Sequence, residues 1–497
     1  MKKRFLITTL VLALSLLFIT TVLAQTYPDA GNAVTNAVLQ NSGSSTATIV
    51  VTYYDANGTK QYDHTGISLA AGAVTEVKTQ DEPLPSGFQG TAVVSSDQPL
   101  ASVVSIKSTG VTASAGQTTQ AAYNGTSSPA TTLFFPSVWR FSGIVSIVTI
   151  QNTENTSASV TVDFYDRNGN KLGTCNETLA AFGSKTYDMR TPPSCSGWTD
   201  AVADGSITAT SSGPKLAGAS TAAWSNRAAA YQALTSADQG TVLYAPSHFR
   251  FKKNASDAEY TLFSAINIQN TDPNNDAPIT VEYFTRGDTS GTPALTINTT
   301  VPAGSAIGLN TKNGASVAAS TFDPLGTSWD GSVKITSDNG IPLIGTGITN
   351  WGTAGYAGMY ALVSDSSASD TIYVPAQYRR MPNGSWAQWS AINLQNIGST
   401  TVAASDLTIT YIDQAGNTVA TFTGASLPSD LAPGAAFGMN TRNGGDLSAS
   451  AFDSLGDSFI GGIIVQGPIG SQLVAVNNII YSNRASVYNG IGISTGN

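Results

Sequence analysis

Four segments of the chain alternate apolar and polar residues and then enter a turn. They read "IVVTYYDANG" from Ile49, "VTVDFYDRNG" from Val160, "ITVEYFTRGD" from Ile279 and "LTITYIDQAG" from Leu407. A period of two is typical of a β-strand that buries one face. The turns contain residues that tolerate positive φ, such as Asn57 followed by Gly58, which favours hairpins. The pattern therefore predicts a strand and a hairpin turn in each segment.

A Gln-Asn pair ends an apolar stretch before each of these segments. The pairs are Gln40-Asn41, Gln151-Asn152, Gln269-Asn270 and Gln395-Asn396, and two of them lie in the near-identical heptapeptides "SAINIQN" and "SAINLQN". We interpret each heptapeptide as a core strand. Its alternation predicts that Ile266 and Ile268 point into a core, that Asn267 and Gln269 lie on the opposite face, and that Asn270 begins a turn.

The similarity between the copies extends well beyond the Gln-Asn pair. Each copy continues with a Gly-bearing turn and a strand–turn–strand unit, and closes on a tyrosine in "AAYNG", "AAYQA", "GMYAL" or "SVYNG". Three copies open with Pro, two variable residues, an aromatic residue and Arg, at Pro136, Pro246 and Pro375. A recurring unit of this length indicates duplication of a whole domain.

Each copy has about seven short strand signals and no convincing helical stretch, which is typical of an antiparallel sandwich. We therefore predict an all-β protein of four tandem Ig-like β-sandwich domains in a row, as a rigid rod or a flexible string. The predicted β-sandwich repeats 1 to 4 cover residues 25–130, 131–240, 241–370 and 371–497, after a signal peptide at residues 1–24.

The strand pattern and the repeated Gln-Asn, Tyr-Asp-x-Asn-Gly and Pro-x-x-aromatic-Arg units resemble the multi-repeat Ig-like or fibronectin-like modules of secreted and surface proteins of bacteria. The resemblance covers nearly all of the chain after the predicted signal peptide. It implies a role in surface layers, adhesion or substrate attachment, and it implies no particular ligand.

The N-terminus predicts export. Lys2, Lys3 and Arg4 precede an apolar run that ends in a small-residue cleavage pattern at Ala24, which is typical of a secretory signal peptide. We expect a secreted protein, free or held at the cell surface, with no membrane insertion after cleavage. Cys175 and Cys195 are the two cysteines, and a disulfide between them suits an oxidising compartment.

The charge balance argues against one class of partner. The formal net charge is −9, and only 11% of residues are charged. Binding nucleic acid requires a dense basic face that displaces counterions, so nucleic acid is excluded as an expected partner.

The sequence gives little indication of catalytic or metal-binding residues. Ser494 lies in a G-x-S-x-G match that lacks the strand, helix and later acid and His partners of a nucleophile elbow, and the two histidines, His64 and His248, are in different copies. We expect no catalytic residue and no cofactor, although a pair of catalytic carboxylates stays open. Asp272, Asn274 and Asp276 have the alternating oxygen spacing of a calcium loop without its glycine, so calcium is a weak alternative to an Asx-rich turn.

Two basic and aromatic connections are the remaining candidates for ligand contact. Repeats 3 and 4 lengthen the segment between the Arg element and the "SAIN" strand, and the residues of interest are Arg250, Tyr260, Arg379, Arg380, Trp386 and Trp389. Aromatic residues beside arginine are common binding anchors. The alternative is that they pack between domains. A third short motif, Arg286-Gly287-Asp288 at a predicted hairpin tip, resembles a receptor-binding tripeptide.

The expected function is that of a secreted, non-enzymatic structural or adhesive protein of the bacterial cell surface or extracellular matrix. The alternative is a secreted carbohydrate-binding or enzyme-associated module. The expected partners are polysaccharide or other cell-surface components, and self-association stays open.

Overall fold

The computed structural model describes residues 32–493, apart from residues 110–117, 142, 192, 199–202, 225–226, 255–258, 289–290 and 353. The predicted signal peptide at residues 1–24 lies outside the described residues. The fold is all-β and β-sandwich-like, as predicted, and its paired strands are antiparallel. Among the described residues, no helix is both long enough and apolar enough to cross a membrane.

Repeat 1 forms two sheets in its described part. One has the strand order β4-β1-β6-β7 and the other has the order β3-β2-β5. The strands are β1 (Asn32–Asn41), β2 (Ala47–Asp55), β3 (Lys60–Leu69), β4 (Val74–Lys78), β5 (Gly90–Ser96), β6 (Leu100–Thr109) and β7 (Thr118–Asn124).

Repeat 2 contains the same seven strands and an additional first strand that joins the two sheets. The order is β11-β10-β13-β8-β9-β14-β15, and β12 pairs with β9. The strands are β8 (Thr132–Phe141), β9 (Ile144–Asn152), β10 (Ala158–Asp166), β11 (Lys171–Leu179), β12 (Ser184–Asp188), β13 (Ala203–Ser211), β14 (Leu216–Trp224) and β15 (Ala228–Gln232). The predicted disulfide between Cys175 of β11 and Cys195 is confirmed.

Repeat 3 keeps this order as β19-β18-β22-β16-β17-β20-β21, with β23 on β17, β24 on β23 and β25 on β16. The strands are β16 (Val242–Lys252), β17 (Tyr260–Asn270), β18 (Ala277–Thr285), β19 (Leu295–Val301), β20 (Ala306–Asn310), β21 (Gly314–Ala315), β22 (Ser328–Ser337), β23 (Leu343–Trp351), β24 (Tyr356–Ala361) and β25 (Val363–Ser364).

Repeat 4 has the order β29-β28-β32-β26-β27-β30-β31, with β33 on β27, β34 on β33 and β35 on β26. The strands are β26 (Thr371–Arg380), β27 (Gln388–Asn396), β28 (Thr408–Asp413), β29 (Thr418–Thr423), β30 (Ala436–Asn440), β31 (Gly444–Gly445), β32 (Ser458–Gln466), β33 (Leu473–Tyr481), β34 (Arg484–Asn489) and β35 (Ile491–Gly492). Short 3-10 helices span Thr79–Asp81, Ser236–Asp238, Ala319–Leu325, Asp365–Ser367, Pro382–Gly384, Ala404–Asp406, Gly424–Ser426 and Ala449–Leu455.

The buried asparagine of each Gln-Asn pair explains why the pair recurs. Asn270 donates from Nδ2 to the carbonyl oxygens of Asn275 (2.7 Å) and Val301 (3.2 Å) and accepts from the backbone N–H of Asp272 (2.9 Å). Asn41, Asn152 and Asn396 make the corresponding three bonds. Because backbone groups that are buried or partly buried need hydrogen-bond partners, the amide holds the turn closed in every repeat.

The recurring tyrosine has an equally local cause. Each opening proline lies at a bulge, where it interrupts the ladder because it has no N–H to donate. The hydroxyl of Tyr231 donates to Ser137 O (2.9 Å) and accepts from Ser137 N (3.2 Å). Tyr488 makes the same pair of bonds with Ala376, so the tyrosine satisfies backbone groups that the bulge frees.

The last long strands of the repeats, β7, β15, β24 and β34, pack against one another, and we call them the terminal strands. The neighbours in this cluster follow the cycle β7–β15–β24–β34–β7. Repeat 1 therefore contacts repeat 4 as well as repeat 2. The structure differs in this respect from the open row expected from the sequence, and the four repeats form a closed ring.

The contacts between consecutive repeats share one head-to-tail pattern. The hairpin tip of repeat 1 accepts a bond at Ala56 O from Ser184 N of repeat 2 (2.9 Å), and Arg167 O of repeat 2 accepts one from Ser305 Oγ of repeat 3 (2.7 Å). Arg286 of repeat 3 lies 3.7 Å from the Asp446 carboxylate of repeat 4.

Repeat 4 completes the cycle by contacting repeat 1. The tip glycine Gly416 is so close to repeat 1 that an added Cβ would lie 3.3 Å from Ala71 O, and Tyr373 Oη donates to Ser42 O (3.2 Å). A heterologous interface of this kind generates a ring when its rotation closes.

Candidate ligand-contact surface

The arginines of the Pro-x-x-aromatic-Arg element in repeats 3 and 4 are buried. Arg379 pairs with Asp453 (2.9 Å) and Asp457 (3.0 Å) and donates to Gly456 O (2.7 Å). Arg250 pairs with Asp323 (2.9 Å) in the equivalent loop. In repeats 3 and 4 these guanidinium groups therefore hold the 3-10 helices Ala319–Leu325 and Ala449–Leu455 against the first strand of the repeat.

The aromatic candidates divide by exposure. Tyr260 and Trp389 are buried, whereas Trp386 is half-buried and contacts Trp389 edge to face, with the ring centroids 6.2 Å apart. Arg380 is exposed, and its Nη1 donates to Gln388 Oε1 (3.3 Å). Among the sequence-predicted candidates of repeat 4, Arg380 and Trp386 are thus the side chains that reach solvent.

Arg442 is the residue of this region that the sequence reasoning missed. It is exposed, and its guanidinium carbon lies 4.4 Å from the centroid of the Trp389 ring and 5.9 Å from that of Trp386. A guanidinium over an indole face is attracted by the ring quadrupole. The available signal was the "NTRNG" segment, which matches "NTKNG" in repeat 3.

Repeat 3 carries a corresponding arrangement. Lys312, at the position of Arg442, is exposed and its Nζ lies 5.1 Å from the centroid of the Phe263 ring, at the position of Trp389. Two repeats therefore hold a cation over an aromatic ring at the same place. We call Arg380, Trp386, Trp389 and Arg442 the Arg442 surface.

The carboxylates around the Arg442 surface are already paired with other cations. Asp453 and Asp457 bind Arg379, and Asp446 lies opposite Arg286. Within the described residues, Arg442 forms no salt bridge. The Arg442 guanidinium is therefore an exposed cation without a carboxylate partner among the described residues.

The calcium candidate is used as a turn. Asp272 Oδ1 accepts from the backbone N–H groups of Asn274 (2.8 Å) and Asn275 (3.2 Å), and Asp276 Oδ1 accepts from Ala303 N (2.9 Å). The hydrogen bonds from Asn275 and Asn274 lower the pKa of Asp272 below its ordinary value. In the described part of the chain, no group of three His, Cys, Asp or Glu side chains is placed to hold a metal ion.

The remaining motifs do not join the Arg442 surface. Arg286 of the receptor-like tripeptide is half-buried, pairs with Asp330 and faces repeat 4, so its guanidinium is not displayed at a free tip. Ser494 lies outside the described residues. His248 is fully buried beside the ring of Tyr283, and burial lowers its pKa to about 3.

No protein-family model matches this chain, and no curated protein matches it either.

Proposed function

We propose that the protein is a secreted, non-enzymatic adhesive component of the bacterial cell surface or extracellular matrix, built from four Ig-like β-sandwich units. Its Arg442 surface would contact an acidic polysaccharide. The disulfide Cys175–Cys195 supports an oxidising compartment. The compact joining of the four units supports a structural role, because each unit packs against both of its neighbours.

One observation carries the choice of ligand. The Arg442 guanidinium lies on the Trp389 ring face at 4.4 Å and has no carboxylate partner among the described residues. A planar guanidinium held in place by an aromatic ring loses little further freedom on binding a carboxylate or sulfate in bidentate fashion. The covered ring face is correspondingly less open to stacking with a neutral sugar.

A secreted carbohydrate-binding module for neutral glycans is the second candidate function. It is favoured by Trp386, which is half-buried and offers part of its indole to solvent. The two candidate functions differ in the residue that contributes most to binding. Binding of an acidic glycan would depend on Arg442, and binding of a neutral glycan would depend on the Trp386 ring.

The test measures binding of the secreted chain to immobilised polyuronate and to a neutral polysaccharide, at low and high salt. Arg442→Ala is expected to weaken polyuronate binding by about 10-fold, the value of one charge-assisted contact. Lys215→Ala, which removes an exposed cation of repeat 2, is the matched control and is expected to bind as the parent does.

Binding of the polyuronate by the parent, its weakening by salt and its loss in Arg442→Ala would support the proposal. Binding of the neutral polymer that is lost only in Trp386→Ala would support the second candidate. Binding of neither polymer would overturn both assignments of the surface.

A further inference from the structure

In the described residues, repeat 1 has no counterpart of the first strand of the other three repeats. Those first strands, β8, β16 and β26, each pair along one edge of a neighbouring strand, which is β13, β22 or β32. The counterpart of these neighbours in repeat 1 is β5, which pairs with β2 alone in the described part of the chain. One edge of β5 is therefore open to a further strand.

The open edge of β5 presents backbone groups that a first strand satisfies elsewhere. In repeat 2, Ser211 N at the end of β13 donates to Thr131 O (2.7 Å). Ser96 has the matching position on β5. Because alternate residues of a strand present their N–H groups to the same side, Ala92 and Val94 face the open edge together with Ser96. Unpaired N–H groups in a row are a template for strand addition.

The inward side chains beside this edge are uncovered as well. Ala92 is exposed, whereas its three counterparts are fully buried; they are Ile207, Val333 and Ile463. The same side of β5 is therefore a core surface in repeats 2 to 4 and a solvent-accessible surface in repeat 1.

The recurring tyrosine of repeat 1 provides an independent observation. The hydroxyls of Tyr231 and Tyr488 bond the backbone of Ser137 and Ala376 at the bulge of the first strand. Tyr123 has the same position, and among the described residues its hydroxyl forms no hydrogen bond. Repeat 1 thus retains the group that satisfies a first strand at its bulge.

The surface of repeat 2 that faces this place is partly uncovered. Elsewhere in the ring a first strand packs against the next repeat, as β8 does on β17 and β23. Phe134 of β8 packs on Ile344 of β23, and Tyr244 packs on Val474 in the same way. Ala217 has the matching position on β14 of repeat 2 and is only half-buried. By this arrangement a first strand of repeat 1 would lie between β5 and β14, and we call this place the open slot.

We propose that the open slot binds an extended segment of another polypeptide, which pairs with β5 as a first strand. The slot continues the interface that the other consecutive repeats share, so their first strands define the chemistry of the partner. They read "LFFP", "LYAP" and "IYVP" from Leu133, Leu243 and Ile372. The partner would therefore present an aliphatic, an aromatic and an apolar residue before a proline. Backbone bonds would give affinity, and the alternate side chains would give specificity.

The chain's own counterpart of this pattern matches the slot poorly. Aligned at Pro28, it offers Gln25 and Thr26 where the other repeats have a buried aliphatic residue and an aromatic residue. Three residues separate Pro28 from Asn32 of β1, whereas seven separate the first-strand proline of repeat 2 from the start of β9. A second copy of the chain would supply the same segment. The mismatch favours a different polypeptide as the occupant.

Fluorescence anisotropy of a labelled peptide tests the slot on the full chain. The probe is "TIYVPAQYRR", the sequence of residues 371–380. We expect saturable binding, and we expect none for the same peptide with Ile372→Asp and Val374→Asp, because these two side chains would face the core. The slot lies in repeats 1 and 2, so the result does not depend on the Arg442 surface in repeat 4.

Two variants of the chain block the slot from opposite sides. Val94→Pro removes an N–H from the open edge, where proline is tolerated, and is expected to weaken binding about 10-fold. Val94→Ala, which places the residue of repeat 2 at this position, is the matched control and should bind as the parent does. Ala219→Arg obstructs the slot from β14 without altering β5, and it should abolish binding. Its counterpart in repeat 3, Thr346, contacts Ser137 of β8 (2.6 Å).

Hydrogen exchange of the β5 amides distinguishes the possible occupants. The amides of Ala92, Val94 and Ser96 are expected to exchange fast in the free chain and slowly with the peptide bound. Protection without peptide would show that the chain's own N-terminal segment covers the edge, and protection that rises with protein concentration would show a second copy. Either result would overturn the proposal. Absence of peptide binding, or binding that Val94→Pro and Ala219→Arg both retain, would overturn it too.

Discussion

Asn124 and Asn489 lie at matching positions in the terminal strands of the first and last repeats and exchange two hydrogen bonds. Asn124 Nδ2 donates to Asn489 O (2.8 Å), and Asn489 N donates to Asn124 Oδ1 (3.1 Å). The side chain of Asn124 thus satisfies both backbone groups of a residue 365 positions away. The side chain of Asn489 makes the equivalent pair of bonds in turn, to the backbone carbonyl and N–H of Ala361 in repeat 3.

We predict that Asn489→Ala destabilises the ring by about 2–4 kcal/mol. The change leaves the buried N–H and carbonyl of Ala361 without partners, and each such group costs about 1–3 kcal/mol. Chemical denaturation of the purified chain measures the effect. Gln232→Ala, at the matching position of β15, is the control, because in the described residues its side chain makes no hydrogen bond to another repeat. Equal losses in the two variants would contradict the role of Asn489.

We predict that Asn270→Asp destabilises repeat 3 by about 3 kcal/mol. A carboxylate cannot donate, so the carbonyl oxygens of Asn275 and Val301 would face it without a hydrogen bond. The free energy of unfolding is compared with that of Asn298→Asp, an exposed position in the same repeat. A loss in Asn270→Asp no larger than in the exposed control would show that the buried amide does not hold the turn.

His248 predicts a specific dependence of stability on pH. Its pKa is about 3 in the folded chain against an ordinary 6.5, so the unfolded state binds a proton below pH 6.5 that the folded state refuses. Stability is therefore lost as pH falls from 6.5 towards 3. By about pH 4 the loss from this group is about 3 kcal/mol.

The pH dependence is measured by urea unfolding of the parent and of His248→Val, which places the residue of the matching position Val138 in repeat 3. The variant is expected to lose about 3 kcal/mol less than the parent over the same pH range. Parallel pH profiles would contradict the burial of a neutral imidazole at this position.

We predict that reducing the Cys175–Cys195 disulfide destabilises the chain by about 3 kcal/mol, the value for a loop of this length in the chain-entropy model. The unfolding midpoint is measured with and without reductant. A Cys175→Ala, Cys195→Ala double variant is the control and is expected to be insensitive to the reductant. A reductant effect of similar size in that variant would contradict the assignment.

The strand pattern of the sequence predicts the inside of each repeat well. Ile266 and Ile268 are fully buried, as the period of two predicts, and the disulfide and the all-β class are confirmed. These features depend on contacts within one copy. The alternation of apolar and polar residues encodes such contacts directly.

The period of two along the strands does not predict how the repeats pack against one another. Asn267 and Gln269 lie on the face opposite the core, as predicted, but neighbouring side chains of repeat 2 cover them. Arg167 Nη2 donates to Asn267 Oδ1 (3.0 Å), and Gln269 Nε2 donates to Thr208 Oγ1 (3.4 Å). Because polar and charged side chains form these contacts, the residues of this buried face are of the same types as those of a face exposed to solvent.

The candidate surface was predicted in part for a related reason. The prediction grouped Trp386 and Trp389 with the buried Arg379 because these residues are close in sequence. Arg442 contacts the same rings from the turn after β30, which is distant in sequence. A contact of this kind depends on strand pairing between β27 and β30. Such pairing becomes visible in the sequence only when the repeats are aligned with one another.

Small-angle X-ray scattering of the chain from Gln25 onward tests the closed ring most directly. A compact protein of this length has a radius of gyration of about 23 Å, and we expect a value near this with no rod-like region in the profile. A radius of gyration about twice as large, with the scattering of an elongated particle, would contradict the contact between the first and last repeats.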